Sequence, residues 1–157
     1  YLYFTDKRAL VDAVVDRWFA DLLEVISGVE DRIRTSETRE AAWQVYRDMA
    51  ASLAVVGMSH TDEILLSFRE ARTTGESGQL VRHREAAIWA SAVGFTEIAM
   101  ERGWVRPGNP RVLCLVIGGA VARLVYEVWG GAELGDPAQV ASEVVALFES
   151  ALGEWPS

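Results

Sequence analysis

The first residues of the chain combine hydrogen-bond donors that phosphate oxygens accept. Tyr1 and Tyr3 carry phenol hydroxyls two residues apart, and Lys7 adds an ammonium four residues beyond Tyr3. Donors held at fixed spacing position a protein on a nucleic-acid backbone without reading its bases. Phe4 and Leu10 lie among them and suit the packing of a helix–helix joint. The same spacing also fits a plain aromatic joint in which the tyrosines pack.

Elsewhere, reactive chemistry is sparse. The two histidines, His60 and His83, fall in a helix-start turn and in the basic run Arg82–Arg84. No His, Cys or carboxylate cluster has metal-ligand spacing. Cys114 lies in an apolar run, where a thiol behaves as a small hydrophobe. No Ser–His–Asp pattern or phosphate-cradling glycine loop occurs. Glu63, Glu70, Glu85 and Glu97 are read as partly solvated helix faces. The expectation is no catalytic residue, no metal and no cofactor.

Composition narrows the class further. With 157 residues the chain is one domain by prior, and 50% hydrophobic content excludes disorder. A single cysteine excludes an internal disulfide framework and points to a reducing compartment, here the cytoplasm. The net charge of −8 disfavours nucleic-acid binding by residues 8–157 themselves, because phosphate contacts need clustered cations.

Apolar spacing places these residues on helices. Asp6 is a candidate cap for a helix from about Lys7 to Ile26, with Val11, Val15, Trp18 and Leu22 on one face. Ser36 or Thr38 opens a second, which Gly57 closes. A short third helix follows His60 and carries Ile64, Leu65 and Phe68. Residues 73–78 form a break. A long helix then runs from about Gln79 to Arg102, stopped by Gly103. The next spans about Arg111 to Trp129, and Asp136-Pro137 starts the last. Six helices with short connections make an all-α bundle. The apolar run Val112–Ala122 is eleven residues, short of the roughly twenty that span a bilayer, so no membrane role is expected.

With Phe4 and Leu10, Tyr1, Tyr3 and Lys7 resemble the seam that closes the DNA-binding head of the TetR family, Tyr-x-[Tyr/His]-[Phe/Val]-x-x-Lys-x-x-Leu. Only residues 1–13 carry that specific motif, while the helix order resembles the family along the whole chain. The resemblance implies a transcriptional regulator, a repressor released by an effector, rather than an enzyme. It implies that about forty residues completing a helix-turn-helix precede Tyr1. Residues 1–5 would end the recognition helix, and residues 6–157 would form the ligand-binding and dimerisation domain. Tyr1, Tyr3 and Lys7 then contact operator phosphates, and the helix at 7–26 acts as a lever between sensor and head.

The aromatics gain a second meaning from the resemblance. Each is readable as ordinary core. As a group they fit an apolar effector cavity bounded by the helices at 7–26, 36–56, 79–102 and 111–129, in a family whose members include regulators with narrow apolar tunnels. Trp43, Tyr46, Phe68, Trp89, Val93, Gly118 and Tyr126 are the expected lining, with the Tyr46 hydroxyl and two indole N–H groups as orienting donors. Gly94, Gly118 and Gly119 either let helices approach or leave space. The expected effector is small and hydrophobic.

The resemblance also implies a homodimer through the last two helices. Its expected contacts are Leu113, Val116, Ala120 and Leu124 on one helix and Val140, Val144, Leu147 and Phe148 on the other. Arg123 and Glu127 are read as a solvated i,i+4 pair. Two rival readings are a small all-α enzyme with an apolar active site and a dimerisation module without a ligand.

Overall fold

The computed structural model describes residues 6–153, and of Lys7 and Trp129 the backbone alone. Every regular element among the described residues is a helix. Asp6 caps α1 (Lys7–Ile26), its carboxylate accepting from the Ala9 amide at 2.8 Å. One orphan amide of the first turn is thereby satisfied.

The next element is one the sequence pattern hid. A seventh helix, α2 (Val29–Thr35), forms where a charged terminus was expected. Glu30, Asp31, Arg32 and Arg34 dominate its sequence, but Val29 and Ile33 fall one turn apart and are buried. Two apolar side chains on one face suffice, because packing rather than propensity stabilises so short a helix.

Thr38 caps α3 (Arg39–Ser59). This helix continues through Gly57, the expected stop, and ends at His60. A helical glycine costs only about 1 kcal/mol relative to alanine, which an otherwise favourable helix absorbs. After α4 (Thr61–Glu70) the chain turns into α5 (Glu76–Glu101), which starts three residues before the expected Gln79. Gly78 makes that start feasible. A Cβ there would collide with the carbonyl oxygens of Glu70 and Thr73. At the other end Gly103 adopts φ +72°, the left-handed conformation that stops a helix.

Asn109 caps α6 (Pro110–Trp129), with proline at its first position. Asp136 accepts from the Gln139 amide at 3.1 Å ahead of α7 (Pro137–Gly153).

Two apolar clusters hold the bundle. The larger joins α2, α3, α5 and α7 around Ile33, Trp43, Phe95, Ala99 and Val145. The smaller joins α1, α4 and α5 around Val15, Trp18, Phe19, Ile64 and Val81. Leu22 and Ile88 pack against both. The α3–α7 pairing is the most extensive in the fold, whereas α6 leans chiefly on α5. That placement leaves Val112, Leu115, Val116 and Val128 of α6 more than half exposed.

Candidate ligand-binding groove

On α5, residues 82, 85, 89 and 93 recur at helical spacing and face α6. On α6, Arg111, Cys114 and Leu115 face back. Between the helices lies an open groove of about 430 Å³, walled by Trp89, Val93 and Leu115. Gly118 explains how α6 comes so near. The Trp89 indole occupies the space that a side chain at 118 would fill. Of the two meanings a helical glycine here could have, Gly118 takes close approach. A Cβ at Gly119, one position on, would meet nothing within 4 Å.

Arg82, Glu85, Arg111 and Cys114 bring polar groups to the groove. The Arg82 guanidinium donates to the carbonyls of Ala71 and Thr73, at 2.7 and 2.8 Å, and fixes the turn after α4. Burial pushes the Glu85 carboxyl above its usual range, against the opposing pull of Arg82. Arg111 forms no ion pair among the described residues. Cys114 is buried, and burial raises its thiol pKa, offset in part by a hydrogen bond with Thr96. Its sulfur lies 3.5 Å from the Thr96 hydroxyl, which donates to the Ala92 carbonyl at 2.7 Å. A thiol so placed is a poor nucleophile.

The seven expected lining residues separate into three places. Trp89 and Val93 line the groove, and Gly118 seats Trp89. Trp43 and Tyr46 instead belong to the large core. Their rings pack 5.3 Å apart, and Tyr46 packs on Phe95 at 5.9 Å. Burial drives the Tyr46 hydroxyl far above the usual phenol range, with Cys114 adding to the shift and a hydrogen bond with Thr96 opposing it. Trp43 buries an indole N–H that has no partner. Phe68 and Tyr126 flank another opening, between α4 and α6. The groove is thus bounded by α5 and α6, and α1 and α3 do not wall it. Trp43 and Tyr46 of α3 are taken up by the large core, packed with each other and with Phe95 of α5.

Arg82, Glu85, Arg111 and Cys114 escaped the sequence reading. Their signal was the shared face with Trp89 and Val93 on α5 and the i,i+3 step on α6. Glu85 is half-buried, in keeping with a partly solvated helix face. Glu70, read the same way, is buried.

Helix α1 is tied to the groove's own wall. Arg8 pairs with Glu76, and Asp16 with Arg84 at 2.7 Å, so two ion pairs join α1 to α5. The Trp18 indole donates to the buried Ser67 hydroxyl at 2.7 Å, joining α1 to α4. His60, buried at the α3–α4 joint, meets Asp21 of α1 at 2.7 Å through Nε2. Among the described residues no group of His, Cys, Asp and Glu is arranged to hold a metal ion.

Of the expected dimer contacts, Val116 and Leu147 are exposed at 59% and 66%, and Ala120 is exposed too. Leu124, Val140 and Val144 are half-buried. Leu113 and Phe148 pack against the chain's own core. Arg123 and Glu127 pair on the surface. Tyr1 and Tyr3 lie outside the described residues, as does the side chain of Lys7. Among the described residues, no helix is long and apolar enough to cross a membrane.

The comparison with solved structures supports the fold alone. The chain is similar to a protein of unknown function from Rhodococcus sp. RHA1. The two share 18% identity at a TM-score of 0.74, over 98% of this chain and 77% of the other. No family model matches the sequence, and no curated protein matches it either.

Proposed function

We propose that this chain is the sensing and dimerising part of a TetR-type transcriptional repressor in the cytoplasm, acting by allostery rather than catalysis. The observation that carries the reading is the double role of α5. It walls the apolar groove through Trp89 and Val93, and it is ion-paired to α1 through Glu76 and Arg84. A small hydrophobic effector entering between α5 and α6 displaces α5. The ion pairs hand that displacement to α1, which carries the DNA-binding head.

The effector must bind the DNA-incompetent arrangement better than the other, and operator DNA then weakens the effector by the same factor. Tyr1, Tyr3 and Lys7 supply backbone contacts that set affinity and position, not sequence preference. The exposed apolar faces of α6 and α7 form the homodimer that spaces two heads over a palindrome.

Selection of genomic fragments by the product of the complete reading frame tests this. Enrichment of fragments sharing an inverted repeat supports the proposal. Failure to enrich any sequence, with a folded protein, overturns it.

A further inference from the structure

His60 joins two helices and reaches a third. Its amide donates to the Val56 carbonyl at 3.1 Å and closes α3, while its carbonyl accepts from Ile64 at 2.9 Å and opens α4. The residue is 5% exposed. Its Nε2 meets Asp21 Oδ2 of α1 at 2.7 Å. Its Nδ1 is buried without a hydrogen bond, and Glu63 Oε1 of α4 lies 3.5 Å from it. Asp21 and Glu63 are thus the charged groups that face the ring. Arg17 and Glu24, one turn to either side of Asp21, are exposed, as is Asp62 beside Glu63. Residues 49–59 of α3 include no ionisable side chain.

The ring has three protonation states, and a carboxylate can only accept. With the proton on Nε2 alone, Asp21 has its donor, but a bare Nδ1 lone pair faces Glu63. With the proton on Nδ1 alone, a bare Nε2 faces Asp21 at 2.7 Å. With both nitrogens protonated, each N–H points to a carboxylate. Only this last state leaves no buried ring atom unmatched, and a buried acceptor without a donor is destabilising.

We infer that His60 is a proton-operated clasp between α1 and the α3–α4 joint. The imidazolium holds Asp21 and Glu63 together across the joint, and loss of the Nδ1 proton frees the Glu63 side. The neighbouring tie does not titrate. The Trp18 indole donates to Ser67 at 2.7 Å, and the Ser67 hydroxyl donates to the Glu63 carbonyl at 2.9 Å. Trp18 and Asp21 lie one turn apart on α1, so α1 is held at two points, one of them sensitive to protons. The inference stands on this joint alone and does not require the regulatory reading.

Histidine changes charge between about pH 5 and 8, and hydrogen-exchange protection across that range tests the clasp. Protection in residues 18–26, corrected for the intrinsic pH dependence of exchange, falls about fivefold or more from about pH 6 to about pH 8. That is the low end of what an unmatched buried polar atom costs. The α3–α7 pair keeps its protection. Glu63→Gln preserves shape and offers an amide donor to the bare Nδ1, so this variant keeps full protection at both pH values. His60→Gln removes the titrating ring and also abolishes the fall. Nitrogen NMR of the native ring shows both nitrogens protonated at the lower pH and Nε2 alone at the higher. A ring that keeps one protonation state throughout, no fall in the native chain, or a fall of equal size in Glu63→Gln overturns the inference.

Discussion

The Trp89 indole lies against the backbone of Gly118, in the volume that any larger residue at 118 would need. Substituting Gly118 by Ala should therefore push the ring into the groove and cost about 1–3 kcal/mol, as overpacking does. Gly119→Ala supplies the contrast. Its Cβ meets nothing within 4 Å, so the gain in helix propensity should leave stability unchanged or raise it by up to about 1 kcal/mol. Urea unfolding separates the two variants, and equal effects would remove the packing argument.

The faces left bare by α6 and α7 should assemble. Val116→Glu and Leu147→Asp change exposed positions and spare the core, so each should give folded monomers in sedimentation where the native chain is expected to run as a dimer. Phe148 is a poorer probe, because it packs against the chain's own core. A native chain that sediments as a monomer at micromolar concentration contradicts the assembly.

Ser67→Ala removes the acceptor of the Trp18 indole and strands a buried donor. The expected loss is about 1–3 kcal/mol. A loss below a few tenths of a kcal/mol would mean that water replaces the hydroxyl and that α4 does not hold α1 through this contact.

Glu85 should make stability depend on pH. Its carboxyl is raised in the folded chain by burial, so between the unfolded and folded pKa values the native state holds more protons. Stability then falls as pH rises through that window, which lies just above the ordinary carboxylate range. Glu85→Gln should flatten this part of the profile. An identical profile for the variant would place the carboxylate in water.

Helix positions were readable because caps and stops act locally. Asp6, Thr38, Gly103 and Asp136 each act through their own residue type on a neighbouring amide or turn. Helix α2 was not readable, since its stabilisation comes from Val29 and Ile33 meeting distant elements while their neighbours are charged. The candidate site was half legible for the same reason. Apolarity marked Trp43 and Trp89 alike, yet one fills the core and the other walls a groove. The difference lies in the distance between helices, and only Gly118 hinted at it. Glu85 and Arg111 matter through what lies across from them on another helix, which composition and spacing do not encode.

Hydrogen exchange along α1 tests the coupling of groove to lever most directly. The neutral hydrophobe N-phenyl-1-naphthylamine serves as the probe, and Gly118→Leu, which forces Trp89 into the groove, as a constitutive mimic. Both should change exchange in residues 8–20 by about fivefold or more, the lower range of allosteric coupling, while the α3–α7 pair keeps its rates. Saturating probe that leaves residues 8–20 unchanged, or a uniform slowing of every helix as in simple ligand stabilisation, would contradict the account.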